Sequence, residues 1–375
     1  MQSEKLTILV IDNSPGWTGA IKSILNSSKN INADFTFAIP KRSQLVPYFK
    51  ENKIKFIEVS FLEIRKHWSV IFYLPMLLYN SIVIARFCRK NAIQIVHTND
   101  LYNLAGVFSG IFNPSIKLIH HIRLLPGSYV SFFYRFWIKF LSKFANEIIT
   151  VSETSKSCIS NYTDRKISVI YDSVVAPKNS IPIRNDSLVQ FLYPANYIAG
   201  KGQEFALQVF AEVVKENPNI FLTFVGGDLG LSKNIALKEK LRKDIQLLSL
   251  EDNVKLGDFE ENIFEVMSHH DVVLNFSESE SFSMVSLEAL LMGKVLIATD
   301  SGGPKELFEN GKSGFLVERD IQAIKSKMVL VASDAELRRE IGIEGKRFAS
   351  LKFDHITSAK RLKEIYLSQV TKTQH

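Results

Sequence analysis

Residues 275–317 read NFSESESFSMVSLEALLMGKVLIATDSGGPKELFENGKSGFLV. The stretch starts where the apolar run Val272–Leu274 ends, passes through alternating serines and glutamates, and takes on a helical pattern from Ser283. A strand, a polar loop and a helix in this order are typical of an open parallel α/β sheet, in which small molecules bind beyond the carboxyl ends of the strands. The stretch therefore predicts a ligand site at that edge of a sheet.

The start of this helix predicts a phosphate site framed by two acids. With Ser283 as the N-cap, the backbone N–H groups of Met284 and Val285 point out of the helix and can hold a phosphate without a cation. Glu280 precedes the helix and Glu288 lies more than a turn inside it, so the two carboxylates can hold opposite ends of a ligand.

A second loop contributes paired glycines. Gly302 and Gly303 follow the strand pattern Val295–Ala298. Because glycine has no Cβ, the backbone can approach a ligand closely there.

Together these features resemble the retaining glycosyltransferases of family 4, also called group 1, which have the two-domain GT-B fold. The resemblance is carried by Glu280, seven residues, Glu288, an Ala-Leu-Leu-Met-Gly run, a strand, and the Gly302–Gly303 pair. It implies that Glu288 binds the ribose of a nucleotide, that Glu280 acts at the donor sugar, and that the amides near Met284 bind the diphosphate.

The same resemblance assigns two further loops of the donor domain. In the segment after strand Val189–Tyr193, the family places an Arg and a Lys that clamp the donor phosphates. Lys201 matches the Lys, whereas Asn196 takes the Arg position, which removes one bidentate phosphate contact. Gly226 and Gly227 form the turn where the nucleotide base would stack.

The first half carries fewer family residues. Gly16 and Gly19 lie in a turn between the first strand and the first helix, which resembles a Rossmann loop but lacks the full glycine motif. The resemblance places this loop against the donor diphosphate or the acceptor. A functional His is expected after a later strand, where Arg123 is nearest that position and His121 lies two residues before it. The assignment between these two stays open.

Length and pattern predict two domains. A chain of 375 residues exceeds one ordinary core, and alternating strand and helix patterns place it in the α/β class. The resemblance implies two Rossmann-like, doubly wound parallel-sheet domains that face a central crevice. We place the acceptor-binding domain at residues 1–178 and the nucleotide-sugar domain at 188–354, with the final helix, about 355–375, packing back on the first domain.

Charge is divided unevenly along the chain. Residues 1–180 hold 22 Lys and Arg against 11 Asp and Glu, a net +11, whereas the remainder holds 24 against 28, a net −4. In residues 129–145 the cations Arg135, Lys139 and Lys143 recur every fourth residue beside many aromatics. This pattern fits a core helix with a solvated edge, or an interfacial helix on an anionic membrane. We rank nucleic acid well below both, because the chain has no recognisable nucleic-acid-binding motif.

Composition and cysteine usage indicate which class of protein this is. A hydrophobic fraction of 46% and a charged fraction of 23% argue against disorder. The two cysteines give no disulfide or zinc pattern, and we expect no signal peptide, no spanning helix, no metal and no other cofactor. The expected location is the cytoplasm, with peripheral attachment to the inner face of the membrane as an option.

The resulting functional prediction is an enzyme that transfers a sugar from a nucleoside-diphosphate sugar to an acceptor hydroxyl with retention of configuration, in cell-surface polysaccharide or other glycan synthesis. The expected partners are a nucleotide sugar and a glycan or lipid-linked acceptor. Two alternatives stay open: a sugar-nucleotide epimerase of the same fold, and a non-catalytic sugar-nucleotide-binding protein.

Overall fold

A computed structural model describes residues 5–61, 72–99, 101–126, 131–177 and 188–371. It divides into two compact units, one formed by residues 1–173 and 355–375 and the other by residues 174–354. The division falls between Ser173 and Val174, before the predicted end of the first domain at residue 178. Residues 179–187, between the two predicted domains, lie outside the described ranges, as does residue 178.

The first unit is a parallel sheet of seven strands with helices on both faces. Its strands are β1 (Leu6–Ile11), β2 (Ala33–Pro40), β3 (Phe56–Val59), β4 (Ile95–Thr98), β5 (Lys117–Ile122), β6 (Glu147–Thr150) and β7 (Ile167–Val169). Its helices are α1 (Gly19–Lys29), α2 (Val46–Glu51), α3 (Tyr73–Lys90), α4 (Ala105–Phe112), α5 (Ser131–Phe144), α6 (Glu153–Ser160) and, from the end of the chain, α13 (His355–Thr371).

Strand β1 shows why this sheet is covered on both faces. Leu9 and Ile11 pack in one hydrophobic core with α3, α4 and α5, whereas Ile8 and Val10 pack in the other with α1 and α13. Successive side chains of a strand point to opposite faces, so an uninterrupted apolar strand needs a cover on each.

The strand order β3-β2-β1-β4-β5-β6-β7 reverses direction between β1 and β4. In such sheets the ends of the two strands at the reversal leave a crevice at the carboxyl edge. Asp12 follows β1 and Asn99 follows β4, so both residues lie at this point.

The final helix α13 packs on the first unit. The Tyr366 hydroxyl lies 2.6 Å from Nδ1 of His97 on β4, and the Gln369 side chain donates to the Glu147 carboxylate at 3.4 Å. Tyr366 is fully buried, and α13 also contacts α1. The end of the chain therefore completes the core of the unit that contains the beginning.

The second unit is a parallel sheet of six strands. Its strands are β8 (Val189–Pro194), β9 (Ile220–Val225), β10 (Val254–Leu256), β11 (Val272–Asn275), β12 (Val295–Thr299) and β13 (Phe315–Val317). Its helices are α7 (Gln203–Val214), α8 (Ser232–Leu247), α9 (Ile263–Ser268), α10 (Met284–Leu291), α11 (Ile321–Ser333) and α12 (Ala335–Lys352), with a single 3-10 turn at Gly303–Glu306.

Two parallel Rossmann-like sheets confirm the predicted fold class, since every strand pair within the described ranges is parallel. The second sheet, in the order β10-β9-β8-β11-β12-β13, reverses between β8 and β11. The loops after these two strands contain Lys201 and Glu280. Among the described residues, no helix is long and apolar enough to cross a membrane.

Candidate active site

The reversal point of the second sheet brings together two side chains that lie far apart in sequence. The Lys201 ammonium and the Glu280 carboxylate form an ion pair of 2.7 Å. The lysine side chain is 33% exposed and the glutamate side chain 15% exposed. Both groups are therefore partly desolvated but still open to a ligand at the carboxyl edge.

Two glycines and a buried tyrosine fix the position of Lys201. Gly200 and Gly202 have φ of +86° and +84°, and a Cβ on Gly202 would lie 2.3 Å from the Phe276 carbonyl oxygen. The fully buried Tyr193 hydroxyl accepts from the Phe276 N–H at 2.9 Å and donates to the Lys201 carbonyl at 2.6 Å. One hydroxyl thus ties the lysine loop to the strand that leads to Glu280.

Glu280 is held by its own backbone to the glycine loop after β12. Its N–H donates to the Ser301 carbonyl at 2.9 Å, and its carbonyl accepts from the Gly303 N–H at 2.7 Å. A Cβ on Gly303 would lie 2.4 Å from the Ser281 carbonyl oxygen, and Gly302 has φ of +117°. The predicted glycine pair therefore permits a close approach between two loops of the protein itself.

The start of α10 has a strained backbone. Ser283 is the N-cap of this helix, as predicted. Its backbone φ is +82°, a value that residues other than glycine rarely adopt. The Asn275 amide donates to the Ser283 hydroxyl at 2.9 Å, and that hydroxyl accepts from the Ser286 N–H at 3.4 Å. Strain of this kind persists where the surroundings fix it, and it is concentrated at functional sites.

The first turn of α10 leaves backbone donors at the same edge. The first N–H groups of a helix have no intrahelical acceptor, so those of Met284 and Val285 are directed out of the helix start. Glu288 is the fifth residue of α10 and is 5% exposed. A carboxylate this buried can accept hydrogen bonds strongly from a ligand that excludes water.

Asn196 makes a contact that the family's arginine could not make. Its side-chain oxygen accepts from the Gly227 N–H at 2.9 Å, and arginine has no acceptor. A Cβ on the neighbouring Gly226 would lie 2.0 Å from the Ala195 carbonyl oxygen. Asn196 and the two glycines therefore join the loop after β8 to the loop after β9.

The first unit has its own polar cluster at the carboxyl edge. Asn99 donates to the Asp12 carboxylate at 2.6 Å and accepts from Nε of Arg123 at 2.8 Å. The Arg123 guanidinium also forms an ion pair with Asp172, and both side chains are less than 10% exposed. A second guanidinium nitrogen lies 3.4 Å from Nδ1 of His121. Five polar residues from four strand ends thus form one buried chain.

Burial keeps the histidines of this region neutral. It lowers the pKa of His97 to about 3 and that of His120 to about 4, with the Arg123 charge adding to the effect at His97. Burial also places the pKa of His121 well below its usual range, and the positive charge of Arg123 adds to this. With Nδ1 facing a guanidinium donor, the neutral His121 ring carries its proton on Nε2.

The glycines of the first loop lie beside this cluster in sequence but have local roles. Gly16 packs against Gln44, whose side-chain oxygen lies 2.5 Å from where a Cβ would be. Gly19 is the first residue of α1, after the N-cap Thr18, whose hydroxyl accepts from the Ile21 N–H at 3.3 Å. Among the described residues there is no group of three or more metal-ligating side chains.

A family model described as glycosyl transferases group 1 matches residues 179–348. This part of the chain is similar to the group 1 glycosyl transferases. The match covers the second unit, which contains the ion pair, the helix start and the glycine loop described above.

Individual relatives agree with the family. The chain is 28% identical over 196 residues to the alpha-1,3/1,6-mannosyltransferase ALG2 of Dictyostelium discoideum, covering 49% of this chain and 47% of the relative. It is 29% identical over 152 residues to the N-acetyl-alpha-D-glucosaminyl L-malate synthase of Bacillus anthracis, covering 40% and 38%. The chain thus spans about half the length, or less, of these curated relatives. An uncharacterized glycosyltransferase of Methanocaldococcus jannaschii is 24% identical over 85% of this chain and 87% of its own.

Solved structures share the fold over nearly the whole chain. The crystal structure of Anabaena Alr3699/HepE in complex with UDP and glucose has a TM-score of 0.82 at 20% identity, covering 97% of this chain and 100% of that one. A glycosyltransferase from Rickettsia africae has a TM-score of 0.77 at 19% identity, covering 98% and 99%. At these identities the likeness concerns the fold alone.

Sequence reasoning missed several residues that organise the two edges. Asp12, Asn99 and Asp172 each lie within a few residues of the end of a strand of one parallel sheet, and that shared position is a usable signal for their proximity. Tyr193 gave no such signal, because its hydroxyl acts from inside an apolar strand. Asp100, beside Asn99, lies outside the described residues.

Proposed function

We propose that this protein is a nucleotide-sugar-dependent glycosyltransferase that transfers a sugar to a glycan acceptor with retention of anomeric configuration. The Lys201–Glu280 ion pair carries the proposal, because it places a cation and a carboxylate at the reversal point of the sheet. Glu280 lies in the loop that leads into α10, and both residues belong to the unit that the group 1 family model matches.

The donor is assigned along this edge from sugar to nucleotide. Glu280 accepts hydrogen bonds from hydroxyls of the donor sugar, and Lys201 with the amides of Met284 and Val285 holds the diphosphate. Glu288, further inside the helix, accepts from the ribose hydroxyls. Gly226 and Gly227 form the turn at the end of β9 against which the base stacks, whereas Asn196 maintains that loop without contributing a charge.

The proposed reaction needs no protein nucleophile. The bond between the anomeric carbon and the diphosphate breaks, a bond to the acceptor oxygen forms on the same face, and the departing phosphate oxygen takes the acceptor proton. Lys201 and the α10 amides stabilise the negative charge that grows on the diphosphate, which is the main catalytic contribution expected from preorganised donors.

Residues of the first unit are proposed to act on the acceptor side. His121, with its proton on Nε2, donates a hydrogen bond to the acceptor, and Arg123 fixes the orientation of the imidazole ring through Nδ1. The loop of Gly16 and Gly19 borders the same edge. We propose a lipid-linked glycan as the acceptor, with the cations of residues 129–145 facing an anionic membrane. Residues 127–130 lie outside the described ranges, so α5 carries this part of the proposal.

A nucleotide-sugar panel tests the proposal. One relative is a mannosyltransferase, and the Anabaena structure contains UDP and glucose, so UDP- and GDP-linked hexoses are the first donors to test. A donor that binds the native state raises the thermal unfolding midpoint. We expect stabilisation by one donor class, slow hydrolysis of that donor, and loss of both in Lys201→Gln. No stabilisation by any nucleoside diphosphate would contradict the proposal. No observation favours the epimerase alternative.

A further inference from the structure

Helices α3, α4 and α5 lie side by side on one face of the first sheet. All three pack on the core that includes Leu9 and Ile11. The Phe108 and Phe140 rings join α4 to α5 at 6.1 Å between centroids, and the Arg89 guanidinium of α3 donates to the Phe112 carbonyl of α4 at 3.2 Å. The outward sides of the three helices therefore belong to one surface, which we call the α3–α5 surface.

This surface has cations and no acids. The three helices contain no Asp or Glu, and six Lys or Arg. All six side chains are exposed: Arg86, Arg89 and Lys90 on α3, and Arg135, Lys139 and Lys143 on α5. The sequence pattern had identified only the three on α5. Helix α8 of the second unit, by contrast, interleaves its cations with Glu239 and Asp244.

Large apolar side chains are exposed on the same helices. On α3, Leu74 is 57% exposed and Tyr79 63% exposed, and Leu78 and Ile82 lie on the same outward side. On α5, Phe136 is 53% exposed. Single exposed apolar residues are ordinary on soluble proteins, but neighbouring ones bordered by charge mark an interaction site.

The apolar residues lie toward the carboxyl edge of the sheet and most of the cations lie away from it. The Asn80 amide on α3 donates to the Ser60 carbonyl after β3 at 2.8 Å, and the Tyr134 hydroxyl on α5 donates to the Leu124 carbonyl after β5 at 3.0 Å. The N-terminal halves of both helices are therefore at the edge that holds Arg123. Leu74, Tyr79 and Phe136 lie in these halves.

We infer that the α3–α5 surface docks the protein on an anionic lipid bilayer, with its apolar half in the headgroup layer and its cations over the lipid phosphates. A bilayer fits better than a nucleic acid, because aliphatic side chains such as Leu74 gain nothing from a polyanion but gain from burial among acyl chains. Where the acceptor is concerned, this inference rests on the proposed function. The carboxyl edge would then face the headgroup to which a lipid-linked glycan is attached.

The test is co-sedimentation of the full chain with vesicles of phosphatidylglycerol and phosphatidylcholine, against phosphatidylcholine alone. Wild type should bind the anionic vesicles, less so as salt rises. Arg86→Gln with Lys90→Gln should lower the partition coefficient about 30-fold, since each cation contributes roughly 1 kcal/mol near such a surface. Leu74→Gln with Tyr79→Gln should lower it at least tenfold while leaving the charge unchanged.

Matched controls lie in the second unit. Lys233→Gln with Lys243→Gln removes the same charge, and Leu247→Gln with Leu351→Gln removes apolar residues that are 82% and 73% exposed. Both controls should bind like wild type. The inference fails if the controls weaken binding equally. It also fails if the Leu74 and Tyr79 changes have no effect, which would indicate a general polyanion site.

Nucleotide binding separates this inference from the proposed function. The changes on α3 lie in the first unit, so thermal stabilisation by a nucleoside diphosphate should stay as in wild type. Vesicle binding without nucleotide binding would refute the proposed transferase function and support the docking of the α3–α5 surface on lipid. Nucleotide binding without vesicle binding would refute the docking inference and support the proposed donor site.

Discussion

The ion pair between Lys201 and Glu280 predicts that one substitution changes the affinities for the free nucleoside diphosphate and for the intact donor differently. In Glu280→Gln the side chain keeps its shape and its backbone bonds to Ser301 and Gly303, but the carboxylate no longer competes with the diphosphate for Lys201. Because a third of the lysine side chain is exposed, the released interaction amounts to about 1 kcal/mol and not the larger value of a buried pair. We therefore expect a free nucleoside diphosphate to bind about fivefold more tightly.

The intact donor should respond differently to the same change. It gains the released lysine but loses the charge-assisted hydrogen bond to its sugar, which costs about 1–3 kcal/mol. Titration calorimetry with both ligands gives the difference between them, in which the lysine contribution cancels. We expect the donor to lose 1–3 kcal/mol relative to the diphosphate.

A neighbouring carboxylate supplies the control. Glu278 lies in the same loop, 59% exposed and paired with Arg319 at 3.2 Å. Glu278→Gln should change the affinity of neither ligand by more than a few tenths of a kcal/mol. Equal changes for the diphosphate and the donor in Glu280→Gln would refute the assignment of Glu280 to the sugar.

Four further predictions follow from the two units. Glu288→Gln should weaken nucleoside diphosphate binding by about 1–3 kcal/mol in calorimetry, and unchanged affinity would remove it from the ribose site. Sugar transfer should persist in excess EDTA, whereas loss with rescue by magnesium would show that Lys201 and the amides are insufficient. Tyr193→Phe leaves two buried backbone groups without their partner, so it should lower the free energy of unfolding by about 1–3 kcal/mol and shift donor KM more than Glu278→Gln does. The pKa of His120 is lowered by burial to about 4, so between pH 6.5 and 4 the unfolded chain binds a proton at this residue that the folded chain does not. This residue alone lowers stability there by about 1.4 kcal/mol per pH unit, and His120→Leu should reduce the slope in urea titrations by that amount, leaving the contributions of His97 and His121.

The place of the proposed donor site could be inferred from the sequence because its parts follow strands. Lys201 and Glu280 are 79 positions apart, yet each lies in the loop that follows a strand of one parallel sheet, and carboxyl ends of parallel strands share an edge. The sequence could not show that the two side chains pair with each other. That depends on β8 and β11 being neighbours, which follows from the strand order and not from any local pattern.

Asn196 shows where local reasoning stops. In the sequence, Asn196 takes the position of a cation, which predicts that the diphosphate site lacks one bidentate contact. In the structure its side-chain oxygen holds the Gly227 N–H, which belongs to a loop some 30 residues further along the chain. Backbone partners at this separation leave no mark on composition or spacing. Asn196→Arg would therefore trade a structural hydrogen bond for a phosphate contact, and the two effects oppose each other.

The polar cluster of the first unit bears on the proton transfer in the proposed reaction. Asp172 pairs with Arg123, and Asn99, which donates to Asp12, accepts from it, so the guanidinium is held with its donors directed at Asn99, Asp172 and His121. A guanidinium fixed beside His121 opposes a second positive charge, and burial opposes it further, which is why the pKa of this ring is well below its usual range. A neutral His121 at pH 7 is thus a hydrogen-bond donor through Nε2 and a poor proton acceptor. In the proposed reaction the acceptor proton therefore goes to the departing phosphate oxygen. The rate of sugar transfer should then show no titration near pH 6.5 that depends on His121. If wild type loses rate near that pH and His121→Gln does not, the base is His121 instead.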